Sequence, residues 1–179
     1  MSTDTKSAEL ESQAALRAGR TKQMGARWGV VAAIFVGAEA TQPMASVLQV
    51  SARAGAGLEG DRYARAAGTF SDGNPNKQLT LVEEEALAAT ARDYGLTIEG
   101  AETRRNLLTS GIALNHLVGR EFRIGDVRVR GLKLCEPCGH LEKLAKKEVI
   151  KALRHRGGLR AEILSDGVIK VGDVISEQE

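Results

Sequence analysis

The chain has 179 residues, enough for one globular domain with an ordinary core. Hydrophobic residues make up 42% and charged residues 27%, the balance of a soluble protein, and a formal net charge of +2 gives no general attraction to nucleic acid or anionic lipid. Aromatic residues are 3% against 20 glycines, which predicts an aliphatic core and many short strands, and the longest apolar run, Trp28 to Ala38, is about half of the roughly 20 residues a membrane helix needs.

Residues 1–26 are polar and poor in bulky apolar side chains, so they read as a flexible tail ahead of a single domain over 27–179. Asp4, Glu9 and Glu11 precede any apolar stretch, the wrong order for a secretory signal. With two cysteines and no wider framework, the chain reads as cytoplasmic, with its thiols reduced.

From Gly29 the character changes. Val30, Val31, Ile34, Phe35 and Val36 predict a buried strand, and Val47 to Val50 a second one after a turn at Gln42-Pro43. The second runs into the glycine-rich stretch ending at Gly60-Asp61-Arg62. Residues 68–77 hold two Gly, one Pro and two Asn and predict a surface loop. Thr80 with Glu83 has the spacing of a capping box. Val82, Ala86, Leu87, Ala91 and Tyr94 then form an apolar helix face, which Gly95 ends.

From Phe122 the period is two. The phase flips across Gly125-Asp126, which predicts a two-residue hairpin or a barrel corner, and it flips again at Gly131. Val171-Gly-Asp-Val174 repeats the device, while a helix is predicted over Leu141 to Leu153. The fold class is therefore mainly β with a few α-helices (α+β), a closed or half-closed barrel rather than a parallel doubly wound sheet.

Four constellations carry chemistry, one of them Gly57-Leu-Glu-Gly60-Asp61-Arg62, whose two glycines and charged pair at a strand end either approach a ligand closely or form a plain bulge. In Cys135-Glu-Pro-Cys138-Gly-His140 a strand hands over to a helix, where helix N–H groups favour a thiolate. Zinc lacks ligands here. A CxPC thiol–disulfide pair using both sulfurs, and a single thiolate serving a soft metal or carrying sulfur, stay comparable, against the plain reading of two small core side chains. Arg104-Arg105-Asn106 offers a guanidinium fork for phosphate beside an amide for a heterocycle, or is an ordinary charged turn. Arg154-His-Arg-Gly-Gly-Leu-Arg160 has the composition of an anion-binding loop, or of a basic helix end with a glycine cap.

Taken in order, Gly57-x-x-Gly60-Asp61-Arg62, Leu79-Thr-Leu-Val-Glu-x-Glu-Ala86, Arg104-x-Asn106-Leu-Leu, Val118-Gly119 with Ile124-Gly125-Asp126, Pro137-Cys138 and the C-terminal Gly158 to Asp173 resemble the MOSC family, the module at the C-terminus of molybdenum-cofactor sulfurases. The resemblance is to its stand-alone bacterial type with an LCEPC motif, and spans roughly residues 29–176. It implies a MOSC-like β-barrel and binding of the molybdopterin-type molybdenum cofactor. The activity implied is sulfur transfer, or cofactor-dependent reductive oxo transfer, through a reactive cysteine. Cys138 falls on the family's cysteine, the molybdenum ligand or sulfur carrier, and Cys135 would join it as a second catalytic thiol. Arg104 and Asn106 fall on the family's cofactor-contacting pair, with Arg62, Arg156 and Arg160 as further phosphate contacts. The chain has no desulfurase half, so the implied partner is a sulfur-donor desulfurase or an electron-donor protein. A thiol–disulfide protein and a non-catalytic cofactor carrier are the alternatives.

Overall fold

A computed structural model describes residues 27–145 and 148–177 of the protein; the tail expected over 1–26 lies outside them. The strands are β1 (Arg27–Val36), β2 (Ala45–Val47), β3 (Gln49–Arg53), β4 (Gly57–Leu58), β5 (Leu79–Glu83), β6 (Leu107–Ser110), β7 (Glu121–Ile124), β8 (Val127–Leu134), β9 (Leu159–Ile163), β10 (Gly167–Lys170) and β11 (Val174–Glu177). The helices among the described residues are α1 (Glu84–Tyr94), α2 (Gly139–Leu144) and α3 (Val149–Ala152).

Seven strands close into a barrel in the order β1-β11-β7-β8-β9-β5-β6 and back to β1, with β2 hanging from the far end of β1. Closure depends on the length of β1. Its first residues pair with β11, its middle with β6 and its last three with β2, so one ten-residue strand joins both ends of the sheet. Every ladder is antiparallel except β5–β6, and α1 supplies the crossover that a parallel pair requires. A separate three-stranded sheet, β10-β3-β4, lies beside the barrel.

Alternation decides which side chains fill the barrel. Ile34, Leu79, Leu81, Leu107, Phe122, Ile124, Val127, Val129, Leu159 and Ile175 are fully enclosed, and Phe122 is the largest of the enclosed side chains. Each such side chain stabilises the fold by about 1.5–3 kcal/mol relative to exposure. A smaller cluster of Val82, Leu87, Ile98, Leu141, Val149 and Leu153 glues the helices to the outside.

The hairpin at Gly125-Asp126 forms as expected: Ile124 pairs with Val127, and Gly125 takes a φ of +56°. The phase change at Gly131 is a bulge in the β8–β9 ladder.

Three local expectations change. Leu79–Glu83 is a barrel strand rather than the start of a helix, so Thr80 and Glu83 form no capping box. Leu79, Thr80, Leu81 and Val82 are all buried, because β5 is covered by the barrel interior on one side and by α1 and a polar network on the other. α1 begins at Glu84 and ends, as expected, on left-handed Gly95. The helix expected over Leu141–Leu153 is two short ones, broken where Glu148 turns left-handed at φ 68°. The stretch expected as one strand at Val47–Val50 is the bend between β2 and β3. Val171-Gly-Asp-Val174 takes the corner form of the expected device, since β10 pairs with β3 and β11 enters the barrel.

Candidate functional site

The two cysteines occupy different environments. Leu134 ends β8, and Cys135 leaves it with its backbone held on both sides: its N–H donates to the Gly158 carbonyl at 2.7 Å, and its own carbonyl accepts from Arg105 Nη2 at 2.8 Å. The Cys135 side chain is fully buried. Gly157 allows this packing, because a Cβ there would stand 2.5 Å from the Cys135 carbonyl oxygen. Pro137 carries the chain outward to Cys138, which is exposed and occupies the N-cap of α2 without spending its side chain on the helix. Both thiols are free. α2 has only six residues, so its dipole is a weak support for a thiolate, and the stronger positive charge comes from elsewhere.

That charge comes from arginines. Cys138 and His140 open onto a cleft of about 60 Å³ whose lining includes Arg62, Arg104, Arg105 and Arg160. The arginines come from the turn after β4, the stretch before β6 and strand β9, and the thiol from the β8–α2 link. Burial, and then the neighbouring Arg62 guanidinium, hold the Arg104 side chain below the ordinary arginine pKa. The acids nearby are already committed. Glu136 receives the His155 N–H at 3.0 Å and faces its ring at 3.4 Å. His140 stands edge-on to Phe70 and 3.5 Å from Thr69 Oγ1.

A buried polar network fixes the arginines. Asp61 is almost fully enclosed and accepts from the Gly37 N–H at 3.1 Å, the Tyr63 N–H at 3.1 Å, Asn106 Nδ2 at 3.0 Å and Arg62 Nη1 at 3.4 Å. Asn106 in turn accepts from the Thr80 N–H and hydroxyl at 3.1 and 2.9 Å. The Gly60-Asp-Arg and Arg-x-Asn stretches, distant in sequence, are thus one structure. An apolar core supplies no such pairing for a buried carboxylate, and a carboxylate so enclosed needs these donors.

Of the residues predicted from sequence, Cys138, Arg62, Arg104 and Arg160 meet at the cleft, and Cys135 lies beneath it. Asn106 stands behind it, in the network. Arg156 is elsewhere: it donates to Asp93 at 3.1 Å and lies over the Tyr94 ring. Asp61 and Arg105 are visible in the sequence only as members of their motifs and Thr80 only as a helix cap, and two adjacent arginines give no sign of which one turns inward. Left-handed Arg104, φ 58°, sets that choice. A larger hollow of about 290 Å³ adjoins the cleft at Tyr63, but its one lysine, Lys77, is paired with Asp72. Among the described residues, no group of three His, Cys, Asp or Glu side chains is placed to hold a metal ion.

Residues 69–176 match the MOSC domain. The chain belongs to the MOSC family. That family is associated with the molybdenum cofactor. The fold of this MOSC chain is shared with the YuaD protein from Bacillus subtilis, at a TM-score of 0.66 and 15% identity over 84% of this chain and 97% of that one. It is also shared with YiiM from Geobacillus stearothermophilus, with TM-score 0.62, 17% identity and coverage of 84% and 75%. YiiM from Escherichia coli gives a TM-score of 0.58 and 17% identity over 86% and 70%. No curated protein matches the chain. No helix among the described residues is long and apolar enough to cross a membrane.

Proposed function

We propose that this chain binds the molybdopterin-type molybdenum cofactor in the arginine cleft, and that Cys138 is the working thiol, as molybdenum ligand or sulfur carrier. The observation that carries the reading is an exposed thiol, uncommitted to any cap, at the mouth of a cleft lined by four guanidinium groups. The donor set suits the group. A thiolate is a soft ligand, and a phosphate of about −1.5 to −2 charge requires cationic, hydrogen-bond-donating walls. Arg62, Arg104 and Arg160 would hold the phosphate-bearing end. When bound, the cofactor supplies molybdenum redox and oxo- or sulfido-transfer chemistry.

The protein's own part in sulfur transfer is a thiol exchange. The Cys138 thiolate attacks the terminal sulfur of a persulfide presented by a donor protein, a bond to that sulfur forms, the donor S–S bond breaks, and the donor leaves as a thiolate with no net oxidation. Cofactor-dependent reductive oxo transfer uses the same cleft and thiol, with electrons from a donor protein. Burial of Cys135 weighs against the thiol–disulfide reading, which needs an accessible second sulfur. Free thiols suit a reducing, cytoplasmic setting.

Intact-mass analysis after treatment with a persulfide donor tests the sulfur-carrying role. Wild-type and Cys135→Ser protein gain one sulfur, and Cys138→Ala gains none. A gain that survives in Cys138→Ala, or that disappears in Cys135→Ser, overturns the assignment.

A further inference from the structure

The Arg104-Arg105-Asn106 turn can be resolved residue by residue by counting hydrogen bonds. The Asn106 amide accepts twice from Thr80 and donates to the Phe35 carbonyl at 3.3 Å and Asp61 at 3.0 Å, which uses its two donors and both acceptor positions. Nothing is left for a ligand. Arg104 spends Nη1 on the Gln42 carbonyl and Nη2 on the Ala40 carbonyl, both at 2.8 Å, and so ties the loop after β1 to the cleft edge; its other N–H groups belong to a partly exposed residue that water can reach.

Arg105 differs from both. The residue is 8% exposed and lines the cleft. Nε donates to the Gly157 carbonyl at 3.0 Å, Nη1 to the Thr103 carbonyl at 3.1 Å and Nη2 to the Cys135 carbonyl at 2.8 Å. A guanidinium has five N–H groups, so each Nη retains one without a protein partner. Among the described residues no carboxylate pairs with it. A buried donor left without an acceptor is costly, and a buried cation without a counter-charge more so, so this side chain calls for an acceptor that is also an anion. Arg62, 5% exposed, adds a second buried cation to the same lining.

We propose that Arg105 is the oxyanion-recognising residue of the cleft, and that its two remaining N–H groups take a tetrahedral oxyanion, either a free phosphate-like ion or the phosphate end of a larger ligand. The inference rests on the cleft being the binding site, as proposed above, and moves recognition from Arg104 and Asn106 to the arginine between them. Arg104 and Asn106 become positioning residues. Because Arg105 also holds the Cys135 carbonyl, the same guanidinium links anion binding to the placement of the loop that carries Cys138.

Calorimetric titration of the cofactor-free chain with inorganic phosphate tests this, with glycerol phosphate in parallel. Wild-type protein binds saturably. Arg105→Lys, which keeps the charge but loses the fork, weakens binding about tenfold or more, and Arg154→Ala, at an exposed site outside the cleft, leaves it unchanged. Tighter binding of the ester assigns the site to a ligand's phosphate end, and tighter binding of the inorganic ion assigns it to a free oxyanion; both support Arg105 when Arg105→Lys weakens them. No saturable binding by wild type, or equal binding by Arg105→Lys, overturns the proposal. If Arg105→Lys does not fold, alkylation of Cys138 by iodoacetamide in the wild type decides: phosphate slows it several-fold along the binding curve, and an unchanged rate overturns the proposal. Molybdenum content is read separately. A chain that binds phosphate through Arg105 but never acquires molybdenum sinks the cofactor reading alone, whereas a molybdenum-loaded chain whose Arg105→Lys variant binds phosphate normally sinks this inference alone.

Discussion

Two arginine-rich segments of similar composition, 104–106 and 154–160, have opposite fates. In the first, side chains converge: Asp61, Asn106 and Thr80 form an enclosed network, and Arg62, Arg104 and Arg105 are turned toward one cleft. In the second, they disperse. Arg154 is exposed, His155 is drawn to Glu136, Arg156 is taken by Asp93, and only Arg160, on β9, reaches the cleft. Local carboxylates explain the difference. A cation beside an exposed acid is neutralised at the surface, whereas a cation beside one buried, fully donated-to acid is held in place with charge to spare. Composition marks both segments as anion sites; only the position of the acids separates them.

The sharpest way to break this contrast is Asp61→Ala. It strips Arg62 of its carboxylate and leaves the Gly37 N–H and Asn106 Nδ2 without an acceptor, so urea denaturation is expected to show a loss of about 3–5 kcal/mol. Next comes Gly157→Ala. The added Cβ presses on the Cys135 carbonyl and Pro137, and a loss of about 1–3 kcal/mol is expected, with a changed alkylation rate at Cys138 as its local signature. On the other side of the comparison, Arg156→Ala removes a surface pair with Asp93 and is expected to cost under about 1 kcal/mol and to leave phosphate binding intact.

A pH effect sharpens the same point from the barrel's far side. Burial raises the Glu83 carboxyl above its ordinary value of 4.5, against the Leu114 N–H that favours the charged form. The folded state therefore holds this proton more tightly than the unfolded chain. Stability from this group is present at low pH and falls as pH rises from about 4.5 through the raised folded value. Glu83→Gln is expected to flatten that slope in denaturation curves measured across the window.

The parts of the fold legible in the sequence were those set by local phase. A side-chain period of two fixes register, so the Gly125-Asp126 hairpin and the Gly131 bulge follow from which residues are apolar. Gly95 ends α1 for an equally local reason. Thr80 misled because the spacing Thr-x-x-Glu also occurs in a strand buried on both faces, and only long-range pairing with β6 and β9 decides. The break between α2 and α3 was hidden because Leu141, Val149 and Leu153 keep helical spacing across it and share one apolar cluster. At the site, Cys138 was legible from its place after Pro137 at a helix start. The separation of Cys135 from it was not, because burial of Cys135 depends on Gly157 and Arg105, which arrive from other parts of the chain.

The central claim is that the exposed thiol and the arginine cleft form one cofactor site. Its most direct test is molybdenum and pterin content, measured on wild-type, Cys138→Ala and Cys135→Ser protein purified from one cofactor-competent host. The account predicts molybdenum with pterin in wild type and Cys135→Ser, and loss of the metal in Cys138→Ala. Wild-type protein without molybdenum or pterin, or Cys138→Ala holding as much metal as wild type, would contradict it.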